Sequence, residues 1–454
     1  MEMSGRTSKK QQRCEQWSQS IGKRRKFDGP LDAFDGVGRW ISRLLRRLLG
    51  EVTAEDPDPA CWRRAAAAAR NRKTSVDQTV AGRHRNALME RAVRELWAES
   101  RDLLGLHSPS PDDAAASAVP RADLPPTPLA FLRDHVSPGR PLLISAAATR
   151  HWPAATLWPT ESYLTDALRS TAVSLHLTPD GRADALAPRP AGSSSSSSSK
   201  CFASAHVRRV DFPAAARLIR ASDPAAGLVA YAQQQDDCLR GEYAAVAGNV
   251  DAHVPWASEA LGCLPEAVNL WIGNAHSVTS FHKDHYDNIY AVVSGEKHFF
   301  LLPPTEHHRL YIRDYPAASY VPAQAEQEAE GEEQQLTRLK LQIEEPQRMV
   351  PWSSVDPYPA SLEEEAASFP LYFDGPPPIR CTVRAGEMLY LPSMWFHHVS
   401  QSPGPNGLTI AVNYWYDMQF DIKYAYFNFL SSLEIDHGSS NKPHASEGDS
   451  EEDD

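Results

Sequence analysis

A mostly β architecture with a sandwich or jelly-roll core and helices around it is what the sequence predicts. Three observations point there. From Val268 onward, five runs rich in β-branched and aromatic residues follow one another: VNLWIG, NIYAVVSGEKHFFLL, IRCTVRAGEMLYLP, WFHHVSQ and LTIAVNYWY. Turn signals punctuate them at Ser294-Gly295, at Ala385-Gly386 and in SPGPNG. The chain has 454 residues, of which 42% are hydrophobic, enough for a sizeable core together with polar extensions.

In chain order, residues 1–75 read as a basic, poorly ordered extension. KRRK at 23–26 fits a nuclear address, although short basic runs are common. Trp40, Ile41, Leu44, Leu45, Leu48 and Leu49 share a helical face opposite Arg39, Arg43, Arg46 and Arg47. Such a helix docks on its own protein, in a partner groove or on a membrane surface. Residues 76–123 hold a second helix, from about Thr79 to Gly105, and then a Pro/Ala/Ser linker. Leu88, Ala92, Leu96 and Leu103 recur in that helix near helical spacing. The globular region is expected over 124–435, opening with the β-rich runs PLLISA, AVSLHLT and LVAYAQ. It carries two surface insertions, a serine run at 192–200 and a charged, partly helical segment at 323–345. FDIKYAYFNFLSSLE at 420–434 closes the region as an aromatic-rich helix, which either packs on its own sheet or pairs two subunits. Residues 436–454 have the composition of a disordered acidic tail.

Charge is uneven. Residues 1–110 contain 22 Lys and Arg against 14 Asp and Glu, a net +8, and the remainder carries −20. An acidic body favours cationic partners over nucleic acid, or serves solubility alone. The six cysteines form no CxxC pair, so neither a zinc ribbon nor a disulfide framework is indicated. A reducing setting is expected, cytoplasmic and, through KRRK, also nuclear. No run approaches the roughly 18 apolar residues of a membrane span. The first residues lack the apolar centre of a secretory signal.

The chemistry concentrates in FHKDHYDN, residues 281–288. Side chains of an extended segment alternate faces, so His282 and Asp284 share one face and Lys283 and His285 the other. An imidazole and a carboxylate so placed can reach one metal ion. A further ligand is available in LPSMWFHHV, where His397 and His398 are adjacent and only one can point inward. Trp395, His397 and Val399 form one set; Phe396 and His398 form the other. Two histidines and one carboxylate leave coordination positions open and suit non-haem Fe(II), although the same donors can hold catalytic zinc. On its own the pair is a weak signal. Lys297 sits in the largely apolar EKHFFLLPP. If it points inward it needs a charge partner, which a dicarboxylic co-substrate supplies and Thr279 can support. A lysine on a solvated edge strand is the plainer alternative.

The stretches VTSFHKDHYDNIYAVVSGEKHFFLLPP, RCTVRAGEMLYLPSMWFHHVSQ and IAVNYWYDMQFDIKYAYF closely resemble jumonji-C oxygenases, and among them small protein-lysyl hydroxylases. The resemblance runs from about Leu124 to about Leu433. It implies a double-stranded β-helix (cupin-type jelly roll) core flanked by helices. It implies His282, Asp284 and His397 as ligands of Fe(II). It implies Lys297, Thr279 and Tyr231 as the residues that hold 2-oxoglutarate, with Asn288 and Asn413 lining the same pocket. Trp395 or a neighbour falls at the iron-proximal aromatic position. The implied reaction consumes 2-oxoglutarate and O2 and leaves a hydroxyl on C-3 of a lysine in a protein substrate. Developmentally regulated GTP-binding proteins are the implied targets. The N-terminal extension and the two insertions depart from the compact family pattern, which bears on partners, location and substrate access.

Three other functions compete. Lysine or arginine demethylation uses the same centre, but no zinc-finger or chromatin-reader pattern accompanies it. A histone-tail peptidase needs a metal-activated water and a general base, and both HExxH and a nucleophile elbow are absent. A cupin-like binding module with a vestigial site has no need of an intact His282, Asp284, His397 and Lys297.

Overall fold

The computed structural model describes residues 77–106, 119–160, 162–190, 199–323 and 338–433. The chain divides into two units, 1–88 and 89–454. All the described strands belong to the second unit, and the described part of the first is the helical backbone of 77–88.

Strands are numbered in chain order. One sheet runs β1 (Arg121–Ala122), β2 (Leu142–Ile144), β17 (Met388–Leu391), β11 (Tyr286–Ser294), β19 (Thr409–Asp417), β9 (Ala267–Gly273). A second runs β16 (Ile379–Arg384), β12 (Glu296–Leu302), β18 (Phe396–Ser402), β10 (Val278–His282), β4 (Arg182–Ala183). Their inner faces share one buried cluster, with Tyr290, Val292, Leu389 and Ala411 from the first sheet and Phe299, Leu301, Val383 and Val399 from the second. The outer face of the first sheet carries the alternate residues, such as Ile289, Ala291, Ile410 and Val412, and packs into a larger cluster with Phe131, Leu175 and Phe212. Alternation of period two therefore writes both cores at once, and the jelly-roll expectation holds.

Two smaller sheets flank this sandwich. One is β7 (His206–Asp211), β3 (Ala172–Thr178), β8 (Val229–Tyr231), against which helix Phe212–Arg220 buries Ala215, Ala216 and Ile219. The other is β14 (Leu339–Ile343), β13 (Arg313–Pro322), β6 (Lys200–Ser204), β5 (Ala185–Pro188), with β15 (Met349–Trp352) also on β13. Residues 339–343 are thus a strand and not part of a helix, because LKLQI finds β13 to pair with. The expected features at 23–26, 39–49 and 436–454, most of the serine run and residues 324–337 lie outside the described residues.

The turns do something other than close hairpins. β11 and β12 flank Ser294-Gly295 yet belong to opposite sheets. The same is true of β16 and β17 around Ala385-Gly386, and of β18 and β19 around the SPGPNG run. Each turn carries the chain across the sandwich. Gly295 has φ +73°, and a Cβ there would lie 2.5 Å from the carbonyl oxygen of Ser402, so the crossing requires glycine.

The helix Asp77–Leu103, α1, turns a different stripe inward from the one its apolar spacing suggests. Val93, Trp97 and Arg101 are buried, whereas Ala92 is exposed and Leu103 is 78% exposed. The cause is a buried charge. Arg101 grips the fully buried Glu306 with Nε–Oε1 at 2.5 Å and Nη2–Oε2 at 3.0 Å. Glu306 is also paired with Arg309, whose guanidinium donates to the carbonyls of Leu371 and Tyr372 and lies over the Trp97 ring. Hydrophobic periodicity cannot see this attraction. Removing the carboxylate strands two buried cations. Glu306→Ala is expected to cost about 3–5 kcal/mol in urea unfolding, while Leu103→Ala should stay within about 0.5 kcal/mol.

Candidate metal centre

The site starts from a strand pair. β10 and β18 run antiparallel with His282 opposite His397, and the two imidazole centroids are 4.0 Å apart. Each ring lies near a carbonyl oxygen of its own strand or of the turn before it. His282 Nδ1 is 2.8 Å from the oxygen of Ser280, and His397 Nδ1 is 3.0 Å from that of Trp395. A carbonyl only accepts, so Nδ1 carries the proton and each Nε2 keeps its lone pair for a metal.

Asp284 completes the set by a route other than strand alternation. β10 ends at His282, and Asp284 lies in the connection to β11. Its main-chain oxygen accepts from Met394 N at 2.8 Å, a residue held at φ +68° in the turn that leads into β18. That turn is bolted in place by Asp287, which accepts from Tyr390 Oη at 2.7 Å and Ser393 N at 3.4 Å. Asp284 Oδ2 then stands 3.6 Å from His282 Nε2 and 3.8 Å from His397 Nε2. One ligand atom from each of the three residues lies within 4.8 Å of the others. Ligands at about 2.1 Å from a common ion are about 3–4 Å apart, and nitrogen and carboxylate donors suit Fe(II), so the residues present fit a divalent metal with open positions.

The histidine doublet divides as alternation requires. His397 faces the interior. His398 faces outward among Phe281, Phe300 and Tyr358, where burial pushes its pKa down to about 4. Lys283 turns away from the triad to lie over the Phe396 ring, its pKa lowered to about 8 by burial. His285 sits against Phe420 and Tyr424.

Lys297 lies on β12, between β16 and β18, so it occupies a central strand rather than a solvated edge. It is 2% exposed, and its Nζ donates to Tyr231 Oη at 2.8 Å. No carboxylate pairs with it among the described residues, and burial lowers its pKa to about 7. Tyr231 is buried and its pKa is raised by desolvation, partly offset by a hydrogen bond with Thr279. Lys297, Tyr231 and Thr279 therefore form one connected group. Asn288 and Asn413 form another, with Asn413 Nδ2 donating to Asn288 Oδ1 at 3.2 Å. Trp271 links the two: its Nε1 donates to Asn413 Oδ1 at 2.8 Å, and its ring is 6.0 Å from that of Tyr231.

Trp395, expected near the metal, is buried and directs its Nε1 to the carbonyl of Gly139 at 3.0 Å. The aromatic ring that lies parallel to a candidate ligand is Trp352. It stacks on His282 within 8°, with centroids 6.3 Å apart, and donates to Ser280 Oγ at 3.1 Å. No motif announced it, because β15 reaches the site only through its pairing with β13. Trp271 lies in VNLWIG, where alternation places it on the inner face.

A jelly roll whose interior gathers two histidines, a carboxylate and a buried lysine defines a cupin-type protein with a candidate metal centre. The chain belongs to the cupin-like JmjC family: the cupin-like domain matches residues 128–422. Lysine-specific demethylase JMJ32 of Arabidopsis thaliana is 56% identical over 348 residues, covering 76% of this chain and 92% of the relative. The human bifunctional peptidase and (3S)-lysyl hydroxylase JMJD7 is 44% identical over 318 residues, covering 70% of this chain and 89% of the relative. JmjC domain-containing protein E of Dictyostelium discoideum is 35% identical over 312 residues, 67% of this chain and 86% of the relative. Among the described residues no helix is long and apolar enough to cross a membrane.

The doublet offers a direct check by calorimetric titration with Mn(II). His397→Ala is expected to abolish binding, and His398→Phe to leave it within about threefold, since an outward ring supplies no donor.

Proposed function

We propose that the protein is an Fe(II)- and 2-oxoglutarate-dependent oxygenase that hydroxylates a lysine side chain of a protein substrate at C-3. The carrying observation is Lys297, a buried cation without a carboxylate partner among the described residues, in the same sandwich interior as a His/Asp/His set. Iron bound by His282, Asp284 and His397 supplies oxidative decarboxylation of the 2-oxo acid coupled to C–H hydroxylation. The protein contributes placement. Lys297 provides the positive charge for the distal carboxylate, and the Tyr231 and Thr279 hydroxyls add hydrogen bonds. Asn288 and Asn413 line the opposite wall. The buried surroundings keep water from the reacting centre.

Hydroxylation is supported by the 44% identical relative, which is named a lysyl hydroxylase. Lysine demethylation is the second reading, supported by the 56% identical relative named a lysine-specific demethylase. Both act on lysine, as suits a chain whose residues beyond 110 carry a charge of −20. Developmentally regulated GTP-binding proteins are the proposed targets, in the cytoplasm and, through KRRK, in the nucleus. Phe420, Ile422, Tyr426 and Phe429, at or before the helix Ile422–Ser431 and along it, are more than half exposed, which supports pairing of two subunits there.

Incubation with Fe(II), ascorbate, 2-oxoglutarate and a panel of lysine peptides, plain and methylated, separates the readings by mass. A gained oxygen with stoichiometric succinate is the expected result. Loss of a methyl group indicates demethylation, and backbone cleavage independent of 2-oxoglutarate indicates a peptidase. His282→Ala should reduce succinate to background. Lys297→Ala should raise the apparent KM for 2-oxoglutarate by about 10–100-fold, the loss of a buried charge-assisted contact worth about 1.5–3 kcal/mol.

Lys297 also sets a pH dependence. Its folded-state pKa of about 7 lies below the ordinary 10.5, so the unfolded chain binds the proton between those values. The apoprotein therefore gains stability as pH rises through that window. A bound carboxylate raises the lysine pKa again, so 2-oxoglutarate binding takes up a proton and its affinity falls as pH rises above 7. Titration calorimetry in buffers of different ionisation enthalpy measures that uptake, and in Lys297→Met it should vanish.

A further inference from the structure

The inner face of β9 carries a polar group that the proposed chemistry does not use. Val268, Leu270 and Ile272 pack outward into the larger cluster, so Asn269 and Trp271 turn into the sandwich. Asn269 has no exposed surface, and neither its Nδ2 nor its Oδ1 has a hydrogen-bond partner. Its cross-strand neighbour is Asn413. That amide is already engaged, Oδ1 by Trp271 and Nδ2 by Asn288. A buried amide is almost always paired, because its desolvation is otherwise uncompensated. An apolar side chain of the same size would suit a purely structural position better.

The surroundings indicate what Asn269 is there to meet. Asn288, Asn413 and Asn269 all lie on the inner face of three adjacent strands, β11, β19 and β9. Trp271 joins that row to Tyr231, and Tyr231 accepts from Lys297. The interior thus offers donors from both sides: an ammonium, hydroxyls and amide nitrogens. A carboxylate taken out of water into such a space needs several of these.

We propose that Asn269 is a further binding residue for the 2-oxo acid co-substrate, donating through Nδ2 to one of its carboxylate oxygens; this rests on the proposed oxygenase activity. The consequence is a trade between stability and binding. Without ligand the amide burdens the fold, and with ligand it holds it.

Asn269→Leu in the full-length chain tests both halves. Its melting temperature without ligand is expected to rise by a few degrees, because a buried unpaired amide has been replaced by an apolar group of similar volume. Titration calorimetry with Mn(II) alone should match the wild type, while 2-oxoglutarate added to the Mn(II) form should bind about tenfold more weakly. Asn269→Asp keeps the shape and sets a carboxylate against a carboxylate. It should weaken binding at least as much and increasingly so as pH rises. An unchanged 2-oxoglutarate affinity in both variants overturns the inference and leaves a water as the partner of the amide. A lowered melting temperature in Asn269→Leu overturns it as well, since the amide would then have its partners within the protein. Wild-type protein that binds Mn(II) but no 2-oxoglutarate refutes the proposed activity itself, whereas unimpaired binding in the variants refutes only the role of Asn269.

Discussion

The antiparallel register of β10 on β18 is the constraint on which the rest of the site depends. It sets His282 against His397, and both rings are fixed by hydrogen bonds to carbonyls two residues earlier in the chain. A slip of one residue would turn His397 outward and bring His398 in, exchanging a candidate ligand for an aromatic-packed side chain. The register is held on its other side as well. β12 pairs with β18 from Glu296↔Ser402 to Leu302↔Phe396, and the inward residues of that run include Phe299 and Leu301. Core packing and the placement of the candidate ligands are therefore one specification, since moving the histidines would also move the apolar face out of the sandwich.

Against that apolar background the buried polar groups stand out energetically. An isolated lysine loses several kcal/mol on leaving water, and Lys297 responds by a lowered pKa rather than by an ion pair. Elsewhere the chain shows that it can neutralise a buried charge when structure requires it, as Glu306 does with Arg101 and Arg309. The contrast distinguishes two kinds of buried charge. One is compensated internally and ties α1 and the Pro304–Leu310 segment together. The other faces the interior beside Tyr231, with no carboxylate partner among the described residues.

The flanking sheet gives the centre a wall that the core alone does not provide. Trp352 lies parallel to His282 and is backed by Phe202 at 4.7 Å, a residue of β6. The strands of that sheet border the two segments, 192–200 and 323–345, that the sequence reading expects as insertions. JmjC relatives named for different activities are similar in sequence to this chain over most of their length.

Much of this was legible in the residues themselves. Period-two alternation marked the strands from Val268 onward, separated His397 from His398 and put Lys297 among apolar neighbours. The jumonji-C resemblance singled out Thr279, Tyr231, Asn288 and Asn413, and the structure joins Tyr231 to Thr279 and Asn413 to Asn288. Alternation is legible because it is encoded by residues close in the chain. Three things depended on contacts between distant segments. The turns at Gly295, Gly386 and the SPGPNG run cross between sheets, which follows from the pairing of all the strands together. Asp284 is held by Met394, more than a hundred residues later. The buried face of α1 is chosen by Glu306, some two hundred residues from Arg101. Local sequence determined which side chains could face inward together; only the tertiary structure decided which of them meet, because pairing, charge capture and ring stacking depend on partners that no local period records.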